Sequence, residues 1–410
     1  MKLASLTLAL ATFAGASQAA ESLETSFSGD LRLRGESWQN FGFGPDNDDD
    51  YLQARLRLRG AFTHKESGIS GLIELKSAVL TRRDLPGGNR TLDEDSLALQ
   101  QAWIRLPLAE QTNLVLGRQA LTYGKQRIIS PLAWSNTGRA WDGAKLSASV
   151  SDWQVDAFYT WFVPVDKNDF NDTDSDQPFY GIYATHAPEE GPVLYDLYAL
   201  QSENNAADRT TLGTRIEAKA GKLKAEVEAA YQTGDAGDLD IDAHMVSTVM
   251  SYSPSFCPFG STWSLGYDVS SGDDNADDGD SGTFHPLFPL GHAYHGYIDA
   301  LGRRNLTAFS QTVALKACEK VDVKIAHHFF DRTETEDAVY HAGNGVLRAG
   351  DTSTADEIGN ELDITIKYAV REDLGLEVGY SLLFAGDVID DASPGNDDIQ
   401  FTYLSALLKF

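Results

Sequence analysis

The sequence predicts an all-β transmembrane antiparallel barrel of about 18 strands, and three observations support this prediction. The last stretch, 399–410 (IQFTYLSALLKF), alternates apolar and polar residues and ends in the aromatic Phe410. Segments with the same two-residue alternation recur along the whole chain, and the connections between them are alternately short and long. Several segments have one apolar face and one charged face, as lipid-facing and lumen-facing sides require. An edge strand of a soluble sandwich is the alternative for 399–410 taken alone.

Residues 1–19 have the features of a secretory signal peptide. Lys2 gives a positive start, an apolar run follows from Leu3 to Ala14, and small residues precede a predicted cleavage after Ala19. The run is too short to span a bilayer as a helix, and no later stretch reaches the roughly 18 apolar residues that a helix needs. We therefore expect residues 20–410 to form a single barrel domain in the outer membrane of a Gram-negative bacterium.

The chain has 410 residues and a formal net charge of −28. This balance excludes nucleic acid as a partner, because phosphate binding needs a basic face. The acidic residues cluster between the strand-like segments, whereas the early segments themselves are basic. We expect the barrel to contact membrane lipid and lipopolysaccharide outside, and to carry positive charge inside.

Eighteen segments show two-residue alternation, and little helical periodicity occurs anywhere. They span 25–38, 51–64, 67–80, 95–107, 112–122, 142–150, 152–163, 178–187, 191–202, 210–221, 222–234, 241–253, 260–271, 306–318, 321–333, 358–370, 373–385 and 399–410. With the N-terminus in the periplasm, this parity places every long connection outside, including the longest, 272–305. The terminal strand also resembles the signal by which the barrel-assembly machinery recognises its substrates.

Strand alternation predicts a wet interior lined by arginines. In the first two segments, leucines at alternate positions occupy the face opposite the arginines. A lipid-facing Arg or Lys costs about 2–4 kcal/mol at mid-depth, so the charged face must be the interior. The arginines assigned to the lumen wall in this way are Arg32, Arg34, Arg55, Arg57 and Arg59.

The connection after the fifth segment, 123–141, is basic and aromatic, unlike the acidic loops around it. It carries Lys125, Arg127, Arg139, Trp134 and Trp141, and its one acidic neighbour is Asp142. Such a loop is suited to folding into the lumen and narrowing it, where guanidinium groups contact carboxylates of a passing ligand. The alternative is a loop packed on the wall for stability, with Trp134 as its buried anchor.

Two stretches resemble the signature of the alginate-export family of outer-membrane proteins. The first is GRQALTYG at 117–124, continuing through Ser135–Arg139 to Trp141–Gly143; the second is GTFHPLFP at 282–289, with His295–Tyr297 and Asp299. The resemblance covers about residues 24–410. It implies a monomeric eighteen-stranded barrel with an arginine-rich pore for anionic polyuronate. It also implies selective lumenal arginines, for which Arg118, Arg127 and Arg139 are the candidates, with Arg105 as a further wall residue.

These observations predict a passive channel for an anionic polysaccharide or oligosaccharide, for export or for uptake. Several segments also place Glu and Asp inside, so a general anion or sugar porin is an alternative function. A plugged barrel with an enzymatic or structural role is a second alternative. We expect no enzyme activity and no catalytic residues, since neither HExxH nor GxSxG occurs in the sequence.

The acidic loops contain clustered carboxylates, which are possible ligands for Ca²⁺. Residues 172–176 begin like a calcium loop, but Gln177 and Tyr183 replace the Gly and Glu of an EF-hand. Clustered carboxylates on outside loops can still hold Ca²⁺ and bridge lipopolysaccharide phosphates, although plain solvation is the favoured interpretation. The weak candidates are Asp172, Asp174, Asp176, Asp274, Asp277 and Asp278. No other cofactor is expected.

The two cysteines, Cys257 and Cys318, are both predicted at the periplasmic side, in the turn after strand twelve and at the end of strand fourteen. The periplasm is oxidising, so a disulfide between them is one expectation. Two unpaired thiols are the alternative, because the two strands are not immediate neighbours.

Overall fold

The structure, a computed structural model, describes residues 22–85, 88–189, 191–256, 259–392 and 397–410. The predicted signal peptide and Cys257 lie outside the described residues, so the cleavage and the disulfide stay predictions. Cys318 lies exposed at the end of its strand.

Eighteen long strands in the described chain form a closed antiparallel barrel, as the sequence predicted. They are β1 (Leu23–Gln39), β2 (Asp49–His64), β3 (Ser70–Leu80), β4 (Asp95–Ala109), β5 (Thr112–Gln119), β6 (Trp141–Val150), β7 (Trp153–Phe162), β8 (Pro178–His186), β9 (Val193–Asn204), β10 (Ala207–Ala220), β11 (Leu223–Ala236), β12 (Leu239–Tyr252), β13 (Ser261–Ser270), β14 (Leu306–Cys318), β15 (Val321–Arg332), β16 (Glu357–Arg371), β17 (Leu374–Ala385) and β18 (Ile399–Lys409). Each strand pairs with the next, and β1 pairs with β18, with Leu31 opposite Leu408. The ring is therefore closed and leaves no open sheet edge.

The connections differ between the two ends of the barrel. At the end that we call the loop end, the connections after odd-numbered strands include 40–48, 81–94, 120–140, 163–177, 271–305, 333–356 and 386–398. At the opposite turn end, the connections after even-numbered strands are short, with 187–192 and 253–260 among the longer ones. Two hairpins at the loop end, 205–206 and 237–238, are also tight turns, so β9–β12 form a low part of the rim.

The two faces of each strand meet different surroundings. On β1, Leu33 is 52% exposed, whereas its neighbour Arg34 is only 5% exposed. On β2, Leu56 and Leu58 are exposed in the same way, and Arg55, which precedes Leu56, is buried. A face that exposes leucine at alternate positions is the lipid-facing side of a barrel, so the buried arginines lie inside.

The buried apolar residues lie inside the ring, near the loop end. One cluster includes Trp38, Phe43, Phe330 and Phe401. The other includes Leu121, Trp141, Phe179 and Phe284, which come from both loops and strands. These clusters pack the long connections against the inner wall. β5 ends at Gln119, before its predicted end at 122, because the chain turns inward there and buries Leu121.

Helical structure is sparse. Among the described residues, it is limited to α1 (Asp387–Asp390) and three short 3₁₀ turns, at Phe41–Phe43, Gly291–Ala293 and Gly350–Thr352. No helix in this part of the chain has the length and apolar character to cross a membrane. Three further short strands, Asp280–Ser281, Val339–Tyr340 and Val346–Arg348, lie within the long connections.

Replacing Leu56 by arginine tests the assignment of the faces. Leu56 lies near the middle of β2 on the outward face. We expect Leu56→Arg to lower the free energy of unfolding by about 2–4 kcal/mol, because it places a charge in hydrocarbon. Urea titration in lipid vesicles, read by heat-modifiable gel migration, measures this change. Leu56→Met is the matched control and should behave like the wild type; equal stability of both variants would contradict the assignment.

Candidate functional site

Two long connections enter the lumen and pair with each other. We call residues 120–140 inner loop A and residues 271–305 inner loop B. The backbone N–H of Ser130 donates to the carbonyl of Phe288 (2.8 Å), and Phe288 N–H donates to the carbonyl of Ile128 (3.0 Å). Leu290 N–H donates to the carbonyl of Gln126 (2.9 Å) in the same ladder. The two loops thus form one partition inside the barrel.

Arginines of β1 and β2 hold one side of this partition. Arg32 Nη1 donates to the carbonyl of Trp134 (2.8 Å), and Arg55 Nη1 donates to the carbonyl of Ala133 (3.0 Å). Arg34 Nη1 donates to the Trp134 carbonyl as well (3.2 Å). A buried loop has carbonyls that no strand partner satisfies, and leaving them unpaired is costly. The guanidinium groups satisfy them and fix inner loop A to the wall.

Further polar contacts extend this anchor to β3 and β4. The side-chain amide of Asn136 donates to the carbonyl of Asp93 (2.9 Å). Lys76 Nζ donates to the carbonyl of Thr137 (2.5 Å) and lies 3.2 Å from an oxygen of Asp95. Lys76, Asp95 and Asn136 are all fully or almost fully buried. Residues 133–137 of inner loop A are therefore held by side chains of β1, β2 and β3, and Asp95 of β4 supports Lys76.

Arg127 holds inner loop A on the opposite wall. Its Nη1 donates to Glu226 (2.5 Å) and to Glu228 (2.9 Å), both on β11, and its guanidinium lies 4.4 Å from the ring centre of Tyr294. The Arg127 side chain is 2% exposed. A buried charge in such a cluster is costly to leave unpaired. Arg127, predicted as a pathway residue, thus makes a cross-lumen anchor.

Inner loop B is fixed to β16 by two buried carboxylates. Ile298 N–H donates to Glu361 (2.9 Å), and Tyr297 N–H donates to Asp363 (3.4 Å). Gly296 allows the close approach: it has φ +88°, and a Cβ there would lie 2.2 Å from the Glu361 side chain. The backbone on both sides of Tyr297 is therefore tightly placed.

A cavity of about 460 Å³ opens above the partition, towards the loop end. We call it the arginine cavity, because Arg34, Arg90 and Arg139 line it. The aromatic residues Trp38, Phe41, Trp134, Tyr297 and Phe401 and the acidic residues Glu36, Asp93 and Asp299 complete much of its wall. The Arg34 guanidinium lies 4.1 Å from the ring centre of Trp134. Charged donors and flat apolar rings thus face one space, as in a site for a charged sugar.

The three arginines of the cavity differ in how their charge is balanced. Arg34 Nε lies 2.7 Å from Glu36, and Arg90 makes two hydrogen bonds of 2.8 Å to Asp93. Arg139 Nη1 donates to backbone carbonyls, those of Pro289 (2.9 Å) and Ser130 (3.4 Å). Burial lowers the pKa of Arg139 to about 10, which still leaves it charged at neutral pH. Arg139 is therefore the least compensated cation of the cavity.

The remaining wall arginines lie nearer the turn end. Arg57 Nε and Arg59 Nη2 each lie 2.9 Å from Asp30, and Arg59 also pairs with Glu74. Their side chains are 25% and 26% exposed, so they reach the open lumen. Arg105 is exposed near the ring of Trp103. These residues line a different stretch of the lumen from the arginine cavity.

The structure places four other predicted residues apart from the arginine cavity. Lys125 is 43% exposed and lies 3.5 Å from Glu217, and Trp141 is fully buried in an aromatic cluster. Arg118 and Asp142 form a two-pronged pair (2.8 and 2.7 Å).

The Arg118–Asp142 pair lies at the outer face of the barrel. Strand alternation puts Arg118 on the face of Leu116 and Asp142 on the face of Leu146, and both leucines are exposed. The connection 163–177 reaches the pair, because the carbonyl of Asn171 accepts from Arg118 (2.9 Å). The structure does not bring this pair together with the arginines of β1 and β2.

Several site residues were not predicted from the sequence. Tyr297 belonged to a quoted motif but had no assigned role, and the pattern around Arg90 gave no signal. Glu226 and Glu228 occupy alternate positions on β11, so the sequence places both in the lumen. Their contact with Arg127 could not be predicted, because Arg127 is distant from them in the sequence.

The proposed calcium ligands do not assemble in the described residues, where no group of three or more potential metal ligands occurs. Asp174 instead accepts hydrogen bonds from Gln177 and from the Asp176 backbone (3.0 Å for the latter). Asp278 accepts from the Asp280 N–H (2.9 Å). These hydrogen bonds lie within single acidic turns and do not bring the proposed ligands together.

Removing the Arg127 charge tests the anchor on β11. We expect Arg127→Met to leave Glu228 buried without its ion-pair partner and Glu226 with only the longer contact to Arg215 (3.5 Å). This should cost about 3–5 kcal/mol in the free energy of unfolding. Inner loop A should then become cleavable by added protease. The matched control combines Arg127→Met with Glu226→Gln and Glu228→Gln, which removes the uncompensated charge and should recover most of the loss. A triple variant no more stable than Arg127→Met would contradict this account.

Comparisons with known proteins agree with this architecture. The chain matches the family described as "Alginate export" over residues 23–401. A search of curated proteins found no match. Among solved structures, Pseudomonas aeruginosa OccK11 (OpdR) is similar with a TM-score of 0.61 at 12% identity, covering 95% of this chain and 96% of that one. OccK3 (OpdO) of the same organism has a TM-score of 0.62 at 12% identity, covering 96% and 98%.

The P. aeruginosa outer membrane protein OprD has a TM-score of 0.60 at 12% identity, covering 94% of this chain and 93% of OprD. At such low identity these likenesses show the fold, which is that of outer-membrane β-barrels. The family match extends over nearly all of the described chain and includes both inner loops. The chain belongs to the alginate export family.

Proposed function

We propose that this protein is an outer-membrane channel through which an anionic saccharide diffuses down its gradient. The observation that carries the proposal is the arginine cavity, a lumenal space lined by Arg34, Arg139 and aromatic rings, in which the Arg34 guanidinium lies over the indole of Trp134. Membership of the alginate export family supports the same class of solute. A uronate residue would offer a carboxylate to the guanidinium groups and an apolar ring face to the aromatic side chains that line the cavity.

The hydrogen-bond partners of the lumenal arginines support selectivity for anions. Arg32 donates to two backbone carbonyls and to two side-chain amide oxygens, and Arg139 donates to backbone carbonyls. These uncharged acceptors satisfy the N–H groups without cancelling the positive charge. Carboxylate partners, such as those of Arg57 and Arg59, do cancel it. Within the described chain, Arg32 and Arg139 therefore lie beside the arginine cavity without a carboxylate in ion-pair contact. Weak binding at several such places is what conduction requires, since a tightly held solute would block the channel.

The proposal also includes the localisation of the protein, its orientation in the outer membrane and the surroundings of its loops. Residues 1–19 act as a cleaved signal peptide, the turn end lies in the periplasm, and the loop end lies outside. The barrel-assembly machinery inserts the chain through β18, and the protein acts as a monomer. The acidic loop clusters face lipopolysaccharide, where Ca²⁺ would bridge them to its phosphates.

The paired inner loops favour a second candidate function. Backbone hydrogen bonds join residues 126–130 to residues 288–290 inside the lumen, and both loops are anchored to the wall. A barrel whose partition never opens would be a closed structural barrel of the envelope. Conductance distinguishes the two functions, because a closed barrel passes no ions.

Planar-bilayer recording tests the channel proposal. We expect anion selectivity from the reversal potential in a salt gradient, and block of the current by oligouronates. Replacing Arg139 by glutamine should lower both the anion selectivity and the block severalfold, because it removes the least compensated charge of the cavity.

Arg371→Gln is the matched control for Arg139→Gln. Arg371 pairs with Asp373 on the exposed surface of the turn end, outside the lumen, so its removal should change neither quantity. Cation selectivity of the wild type, or an oligouronate block that Arg139→Gln does not alter, would count against the proposed solute.

A further inference from the structure

A second cavity, of about 550 Å³, lies on the other side of the partition, towards the turn end. Lysines from three neighbouring strands line it: Lys316 of β14, Lys324 of β15 and Lys367 of β16. Lys324 pairs in register with Ala314 and Thr365, which also line the cavity. We call it the lysine cavity.

The lysine cavity keeps part of its positive charge. Lys367 lies 3.6 Å from Glu377, and Lys316 is opposite Asp322 in the strand register. Lys324 makes no ion pair within the described chain, and its ammonium group lies over the ring of Tyr297. The carboxylates of Asp363 and Glu377 act on it only from beyond ion-pair distance. An anionic solute would therefore find an unpaired ammonium group on this side of the partition.

Tyr297 lines both cavities. Its ring lies 4.1 Å from the ring centre of His292, 5.9 Å from that of Trp134 and 6.2 Å from that of Tyr403. From the lysine cavity, Lys324 Nζ approaches the same ring to 5.3 Å. The ring of Tyr297 therefore separates the arginine cavity from the lysine cavity at this point.

The backbone and the ring of Tyr297 are held with different strength. Glu361 and Asp363 fix the backbone N–H groups on both sides of the residue. Ring contacts and a hydrogen bond with the Thr365 side chain hold the side chain of Tyr297. An aromatic pair contributes only about 0.5–1.5 kcal/mol beyond its buried area, and a hydrogen bond about 0.5–1.5 kcal/mol net. The ring can therefore turn aside while inner loop B stays in place.

We infer that the lumen contains two basic cavities in series, and that the ring of Tyr297 is the barrier between them. This inference rests on the proposed channel function and adds a second anion site to it, at Lys324. An anionic sugar leaves the arginine cavity, passes the face of the Tyr297 ring, and reaches the ammonium group of Lys324. An aromatic barrier suits this solute, because sugar rings present apolar faces.

Single-channel recording of Tyr297 variants tests the barrier. We expect Tyr297→Ala to raise the conductance severalfold and Tyr297→Phe to conduct like the wild type, because phenylalanine keeps the ring. Tyr297→Leu removes the ring with less loss of volume and should lie between them. Tyr231→Ala is the matched control, since Tyr231 faces outward and is 44% exposed. Heat-modifiable gel migration shows that each variant has folded.

The outcomes separate this inference from the channel proposal. A wild type that is anion-selective, with folded Tyr297→Ala and Tyr297→Leu variants of unchanged conductance, overturns the barrier and leaves the channel proposal standing. A wild type that does not conduct while Tyr297→Ala does conduct supports the barrier and rejects an open channel. Absence of conductance in both overturns the barrier, because another contact must then close the lumen.

Side-specific block tests the second anion site. We expect Lys324→Gln to weaken block by oligouronates added from the turn end severalfold, and to leave block from the loop end unchanged. Arg139→Gln should do the reverse, because Arg139 lines the other cavity. Equal effects of Lys324→Gln from both sides, or no effect from either, would overturn the assignment of a separate site at Lys324.

Discussion

The hydrogen bonds between the arginines of β1 and β2 and the carbonyls of inner loop A are the contacts on which the inside of this barrel depends. A loop without regular structure can lie inside a barrel only if its backbone polar groups find partners. Arg32, Arg34 and Arg55 supply donors to the carbonyls of residues 133–135. A hydrogen bond to a charged group contributes about 1.5–3 kcal/mol, more than a neutral one. The same guanidinium groups remain charged, so they also set the electrostatic character of the lumen.

The opposite side of the partition uses the reverse arrangement of charge. There the loops bring the cation or the N–H groups, and the wall brings carboxylates: Glu226 and Glu228 receive Arg127, and Glu361 receives the backbone of Ile298. With both ends anchored and the two loops paired along residues 126–130 and 288–290, the backbone of the partition is fixed. Side chains such as Tyr297 are then the parts that can move.

The distribution of charge is compatible with the proposed selectivity for anions, although the chain has a net charge of −28. Many of its carboxylates lie in exposed loops, where salt screens charges beyond a Debye length of about 8–10 Å. The arginines of the lumen are buried or half-buried, and screening by salt is weaker there. A solute that has entered the lumen therefore experiences the nearby guanidinium groups more strongly than the distant acidic loops.

The strands, the closed barrel and the assignment of faces followed from the sequence alone. Period-two alternation is a local property, so Leu33 and Arg34 could be assigned to opposite sides without knowledge of any contact. The sequence also singled out residues 123–141 as the loop most suited to the lumen. Strand alternation did not support the expectation that Arg118 and Asp142 lie along the solute path. The structure shows these two residues as a pair at the outer face.

Only the tertiary structure decided what each lumenal arginine does. Arg32 and Trp134 are separated by 102 positions in the chain, and Arg127 and Glu226 by 99. Whether an arginine meets a carbonyl, a carboxylate or an open cavity depends on how a folded loop meets a distant strand, which no local pattern encodes. The sequence determined that positive charge lines the interior. The packing of two inner loops determined that Arg139 meets backbone carbonyls and not carboxylates, and that Tyr297 lies between the arginine cavity and the lysine cavity.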